Sequence, residues 1–436
     1  SEEAFWKVNP DLFSNLKIRA SYGSLGNGNV SPYSFLELLS ISTSGRVLNG
    51  LKNKYTSAPA VMPDGLTWET ATTTDVGLDF GMLNNRLQFN GDYYIRKTTD
   101  MYTVGETLPD VFGASSPKGN YADMTTKGWE ITLTWRDQFT LAEKPFNYEI
   151  RGTLSDYIST IDRYNNQTGN LDDYYAGKRV GEIWGYVTEG LFKDQADIDS
   201  HADQTLIQSS SKRITYPGDV KIKDLNGDHV IDYGNNTVDD HGDKTVIGNA
   251  LPRYAYSINL SGDWNNFFLS AFFQGVGKQD WYPSSECIFW GQYNRPYNNM
   301  PTWHQGNYWT EDNTDAYLPR YAGYNASLKS TPQTRYLQNV AYIRLKNLQF
   351  GYTLPQPIVS KAKLQNVRVY ISAENLWCWS PLYKHTRDLD VTNIYGSDPD
   401  LTDADMSSGL NGNRGSGDGN SYPQMKSVSL GLSVTF

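Results

Sequence analysis

Long apolar runs are missing from this chain. No stretch of its 436 residues approaches the roughly 20 consecutive apolar residues of a membrane-spanning helix. That excludes a helical membrane protein and says nothing against a β-barrel, whose strands carry a much weaker signal. Cysteine is nearly absent: Cys287 and Cys378 stand far apart in no metal-binding or redox spacing. Positive charge is short, with 38 Lys+Arg against 48 Asp+Glu, a net charge of -10 and no basic run, which argues against a nucleic-acid partner. The opening SEEAFWKVNP has no basic n-region and no apolar h-region, so it is not a signal peptide, and an exported protein is expected to be a mature form or a piece of something longer. The five histidines, His201, His229, His241, His304 and His385, show no HExxH or serine-triad context. No enzymatic activity is expected, and these side chains are expected to be solvated in loops.

Aromatic residues are plentiful. They make up 14% of the chain, with 31 tyrosines and 12 tryptophans, although the mean hydropathy is -0.57. Many rings must therefore sit where one end is apolar and the other wet. Period-2 alternation recurs throughout. In DVGLDFGM, Val76, Leu78, Phe80 and Met82 oppose Asp75, Gly77, Asp79 and Gly81; in WEITLTWR, Trp129, Ile131, Leu133 and Trp135 oppose Glu130, Thr132, Thr134 and Arg136. The chain closes on SVSLGLSVTF, with Val428, Leu430, Leu432, Val434 and Phe436 on one face. Such alternation is a strong strand signal. About ten strands are expected. Several carry rings at both ends of the apolar face, as with Tyr254 and Trp264, which suits headgroup-level belts better than a sandwich core.

The connections alternate in length. Asn84-Asn85 and Asn265-Asn266 read as tight hairpins, because asparagine tolerates positive φ, and 138–145 and 355–365 are also short. Between them lie the long polar stretches 24–65, 98–127, 159–251, 279–339 and 378–424. Every short connection falls on one side, the pattern of short periplasmic turns and long extracellular loops. In VAYIRLKNLQFGYTL, Ile343 and Leu345 are out of phase with Leu348, Phe350 and Tyr352, and a bulge near Lys346 or Asn347 would repair it. The inward face is charged, with Lys17, Arg19, Arg86, Asp92, Arg96, Glu130, Arg136, Glu149, Arg151 and Asp263. About ten strands close a narrow, filled barrel, whereas barrels of about 22 strands hold a plug that would give those charges partners.

Ordered motifs along the chain resemble the SusC-like TonB-dependent transporters (SusC/RagA family) of Bacteroidota. They are LKIRASYGSLGN (16–27), TWETATTTDVGLDFGMLNNRLQFNGDYYIRKTTDM (67–101), TKGWEITLTW (126–135), GEIWGYVTEGLF (181–192), PGDVKIKDLNGDHVID (217–232), YIRLKNLQFGYTLP (342–355), VRVYISAENLW (367–377) and SVSLGLSVTF (427–436). The resemblance implies an all-β fold, a transmembrane antiparallel β-barrel. Residues 1–436 would be the C-terminal part of an approximately 22-stranded barrel. The plug, TonB box and N-terminal strands would lie outside this chain. It implies an active outer-membrane importer of oligosaccharides, partnered by a SusD-like surface lipoprotein and energised by TonB through the missing N-terminal part. Loops would be extracellular, turns and C-terminus periplasmic, and the wall would face the lipid bilayer. Alternatives are a peptide importer of the same family, a passive porin-like barrel, or a soluble glycan-binding protein.

Two groups of side chains stand out. Asp224, Asn226 and Asp228 occupy the first, third and fifth places of an EF-hand-like loop, with Val230 at the seventh and Asp232 at the ninth. They are candidate ligands of a structural calcium, and no other cofactor is expected. The glycine, Gly227, comes two places early, and Asn235 replaces the glutamate at the twelfth, although Asp239, Asp240 or Asp243 could supply a late carboxylate. An Asx-rich turn needing no ion explains the same residues. The loop rings Trp281, Tyr282, Trp290, Tyr293, Tyr297, Trp303, Tyr308, Trp309, Trp377, Trp379 and Tyr395 could stack on a ligand, grip a lid protein, or pack the loops together.

Overall fold

The computed structural model describes residues 9, 13–28, 36, 39–57, 65–105, 111, 116–208, 214–283, 287–293, 299–321, 331–392, 394 and 424–436. Ten strands form one antiparallel sheet: β1 (Phe13–Asn27), β2 (Glu69–Met82), β3 (Leu87–Val104), β4 (Lys118–Leu141), β5 (Lys144–Arg163), β6 (Arg253–Trp264), β7 (Phe267–Lys278), β8 (Tyr342–Thr353), β9 (Asn366–Trp379) and β10 (Ser427–Thr435). Each strand pairs with the next along the chain, so β1 and β10 are edges and the sheet stays open among the described residues.

Register carries the alternation across the wall. Val76, Tyr93 and Trp129 lie abreast on β2, β3 and β4, and two residues further along Leu78, Gly91 and Ile131 do the same. The resulting apolar face is open. Ile18, Val76, Tyr93, Leu133, Ile150, Leu269, Phe350, Ile371 and Leu430, one from nearly every strand, are between 45% and 79% exposed. A patch of that extent is an aggregation hazard in water and is what a lipid-facing wall requires. On β6 the rings Tyr254 and Trp264 bracket the band ten residues apart. At about 3.4 Å per residue and a tilt near 45°, that is a height of roughly 24 Å, close to the ~25 Å apolar band of outer-membrane barrels.

The bulge expected near Lys346 is present. Leu345 and Asn347 pair with consecutive residues of β7, Phe273 and Phe272, so Lys346 is squeezed out and Ile343 and Leu345 return to the face of Leu348 and Phe350. The length parity also holds. Short turns lie between β2 and β3, β4 and β5, β6 and β7, and β8 and β9, and the five other connections are long. Asn265 (φ 48°) and Asn266 (φ 70°) form a two-residue turn, while Leu83 (φ 55°) joins Asn84 and Asn85 in a longer one.

One turn differs from the sequence reading. β4 runs to Leu141 and β5 starts at Lys144, so the reversal is Ala142-Glu143, at φ 47° and 63°. Neither residue favours the left-handed region. The strands reach this far because Phe139 and Phe146 face each other across the ladder with ring centroids 5.0 Å apart. Ala142→Asn with Glu143→Gly is expected to stabilise the hairpin by about 1 kcal/mol. The check is a higher denaturation midpoint of the folded protein in detergent.

Candidate functional site

At the long-loop end the connections fold into a body of their own. Short two-stranded ladders build it: Glu182–Tyr186 with Lys244–Asn249, Thr188–Leu191 with Val220–Ile222, and Asp280–Trp281 with Gln338–Asn339. Cross-ties join the two longest connections. The Tyr186 N–H donates to the Pro332 carbonyl (2.9 Å), and the Thr334 N–H returns to that of Tyr186 (3.0 Å). Arg320 donates from Nε to Asp219 (2.7 Å) and stacks on Tyr216, 4.5 Å from the ring centroid. Burial pushes the Asp219 carboxyl up, against the pull of Arg320 and of the Tyr216 N–H. His385 brings in the last connection, stacking on Tyr317 at 4.6 Å.

Inside this body lies the main apolar core of the described residues, and it takes up much of the ring-rich set. Trp281, Trp290 and Tyr293 are fully buried. Trp290 meets Phe289 and Tyr336 edge-on at 5.1 and 5.2 Å and donates its indole N–H to the Pro283 carbonyl. Tyr293 stacks on Tyr321 at 4.2 Å and donates to the Pro319 carbonyl (2.6 Å). Contact with a ligand or lid through these three would require the body to open. Tyr282, Trp303, Tyr308 and Trp309 are only partly covered. Trp309 lies against Gly218 (φ 84°), where a Cβ would come within 2.5 Å of the indole. Trp377 and Trp379, 48% and 52% exposed, sit at the long-loop end of β9, beside Leu345 and Ile343 on the outer wall. Tyr297 and Tyr395 lie outside the described residues.

His304 corrects the expectation of solvated histidines. It is fully buried: its Nε2–H donates to the Phe289 carbonyl (3.0 Å), and its Nδ1 accepts from the Tyr321 hydroxyl (2.9 Å). Burial lowers its pKa to about 4, and burial together with Lys384 does the same for His385. Both are neutral in the folded state, and unfolding would let them bind protons at an ordinary pKa near 6.5. Their contribution is therefore complete above pH about 6.5 and is lost as pH falls toward 4, on the order of 3 kcal/mol for His304. Acid titration in detergent should red-shift the fluorescence of the buried tryptophans across that window, and His304→Gln should flatten it.

The Asp-rich loop is closed by its own backbone. Asp224 accepts from the N–H groups of Gly227 (2.6 Å) and His229 (2.9 Å), Asp228 from Val230 (2.8 Å), and Asp232 from Gly234 (2.8 Å). The Gly227 and His229 N–H groups hold the Asp224 carboxyl below its usual range. Asp243 is fully buried and accepts from Leu225 (2.7 Å) and Asp232 (3.0 Å), fastening the loop at both ends. Among the described residues no three His, Cys, Asp or Glu side chains converge as a metal cage.

The inner face of the wall is polar and in part self-paired. Arg19 bridges Asp79 (2.9 Å) and Asp92 (2.8 Å) over Gly77, where a Cβ would strike both Asp92 and the guanidinium. Arg86 pairs with Asp137 (3.3 Å) and Arg136 with Glu149. Near the short turns these strands frame an open concavity of about 1210 Å³ lined by Arg86, Arg136, Glu149, Asp263 and Arg368. The sequence reading missed two ties in which polar loop residues are buried. One is Arg320 on Asp219, and the other is Arg344 on Asp390 and Gln424.

No protein-family model matches the chain. Over 460 residues it is 28% identical to TonB-dependent receptor P3 of Formosa agariphila, in an alignment taking in 100% of this chain and 41% of that protein. TonB-dependent receptor SusC of Bacteroides thetaiotaomicron is 23% identical over 454 residues, 99% of this chain and 39% of its own. Among solved structures, the RagAB peptide importer in its closed-closed state has a TM-score of 0.67 at 19% identity, over 98% of this chain and 41% of that one. Its open-open state gives 0.64 at 19%, over 86% and 38%. The structural likeness is one of fold, and the chain spans about two fifths of the length of the curated relatives it matches. From end to end the chain is similar to TonB-dependent receptors, and it shares the all-β fold of the RagAB importer.

Proposed function

We propose that this chain is the C-terminal part of the barrel of an active importer. It works under a SusD/RagB-like lid protein, is energised by TonB through a plug-bearing N-terminal portion, and carries peptides rather than oligosaccharides. The observation that carries the cargo choice is the fate of the rings. Sugar recognition calls for open aromatic faces, and Trp281, Trp290 and Tyr293 are fully buried. The inner wall instead is lined by ion pairs of both signs, Arg19 with Asp79 and Asp92 and Arg136 with Glu149, into which the charged ends and side chains of peptides can exchange. The solved relatives named as peptide importers support the same choice.

The test uses the whole transporter with its lid protein, purified from native outer membranes, and mass spectrometry of what it retains. Peptides in the retained fraction, and growth on peptides lost on gene deletion, are the expected result. Oligosaccharides in their place overturn the cargo. Isolation of the barrel alone, with no plug and no lid, overturns the pump. We also propose that any calcium held by Asp224, Asn226, Asp228, Val230 and Asp232 orders the loop and takes no part in transport. Calcium titration of the purified protein, read as a rise in thermal midpoint, tests it.

A further inference from the structure

Above the aromatic belt on the outer wall, two lysines stand together. Tyr93 on β3 directly faces Trp129 on β4; the next pair on that face toward the long loops is Ile95 with Lys127, and the next is Lys97 with Thr125. Lys97 and Lys127 are both exposed and point to the lipid-facing side, in phase with Tyr93, Ile95, Trp129 and Ile131. They are diagonal neighbours across the ladder, within reach of each other. The neighbouring positions on that face are uncharged: Thr72 and Thr74 on β2, Ile158 and Thr160 on β5. The acids nearest in register sit higher and are engaged. Asp123 holds Arg163 (2.8 Å) and also feels the Lys97 charge, outside ion-pair distance, and Asp162 accepts the Thr125 hydroxyl. Neither lysine has a carboxylate within ion-pair distance among the described residues.

Two like charges this close repel each other, and here they lie just beyond the apolar band in a chain whose net charge is -10. An anion between them removes the repulsion, and the threonine hydroxyls supply further donors. We propose that Lys97 and Lys127 clamp the phosphate of a lipid in the outer leaflet, fixing the wall at a defined depth in the bilayer. The proposal rests on the reading that the long loops face the cell exterior.

The test measures lipid retention by the intact transporter in mild detergent, using native mass spectrometry with bisphosphorylated lipid A and its dephosphorylated form as probes. The wild type should prefer the phosphorylated lipid. Lys97→Gln with Lys127→Gln should lose that preference by roughly 10- to 30-fold, at about tenfold or less per lysine. Lys17→Gln on the inner face should leave it unchanged. Equal binding by the double variant overturns the clamp, and displacement of the lipid by excess inorganic phosphate reassigns the site to a free anion and overturns the lipid. Orientation is read separately, from labelling of Glu311→Cys on intact cells by an impermeant maleimide. No labelling overturns the choice of outer-leaflet lipid, whatever the lysine variants do.

Discussion

Arg344→Met is expected to cost about 3–5 kcal/mol of stability, a large effect for one side chain. The Arg344 side chain is 6% exposed and its partner Asp390 is 5% exposed, with the guanidinium 2.6 Å from the carboxylate. A second guanidinium nitrogen donates to Gln424 (2.7 Å), and the Gln424 N–H donates back to Asp390 (2.9 Å). One arginine at the top of β8 thus gathers residues from both ends of the last long connection. Burial pushes the Asp390 carboxyl up, but the Gln424 and Thr392 donors and Arg344 outweigh it and hold it below its usual range. Removing the arginine leaves that charge buried and unpaired, which is the costly case. Arg344→Met with Asp390→Leu should recover most of the loss, because a buried pair and an apolar pair are worth about the same. Unfolding in detergent, followed by tryptophan fluorescence, gives both numbers. A single-variant loss under about 1 kcal/mol would show that the pair is hydrated.

Leu133→Arg should destabilise the inserted protein by about 2–4 kcal/mol, while Thr132→Arg beside it should cost little. Leu133 is 46% exposed on the apolar face of β4, between Trp129 on its long-loop side and Phe139 near the short turn. Thr132 points to the other side, into the polar interior. The contrast between adjacent residues separates a lipid-facing wall from a solvated sheet, where the two substitutions would cost alike. Reversible folding into lipid vesicles provides the measurement.

Much of the wall is legible in the sequence because one physical rule writes it. Lipid on one side and polar lumen on the other impose period 2, so the strand number, the turn parity and even the bulge at Lys346 can be read from phase. Legibility stops where that contrast stops. Beyond the bilayer both faces of a strand meet polar surroundings, and β3 continues through KTTDMYTV to Val104 with no alternation to mark it. The Ala142-Glu143 turn is invisible for another reason: the facing Phe139 and Phe146 impose it, and the turn residues themselves do not ask for it. In the loop body, rings are equally suited to grip a ligand or to fill a core, and only tertiary packing decides. Trp290 and Tyr293 went to the core. Asp243 and His304 carry the same lesson for polar residues, because the backbone groups they satisfy come from elsewhere in the fold.

A barrel wall with lipid on its apolar face requires alternating access along every strand of the ten-stranded sheet. The most direct measurement places single spin labels at positions 130 to 135 of β4 in the intact transporter, reconstituted in lipid. It compares collisions with oxygen, which concentrates in the bilayer, and with a water-soluble nickel chelate. Labels at Ile131 and Leu133 should meet oxygen and exclude nickel, and labels at Thr132 and Thr134 should lack that oxygen signal, giving a period of two residues. Oxygen access without alternation, or nickel access on both faces, would contradict a lipid-facing wall.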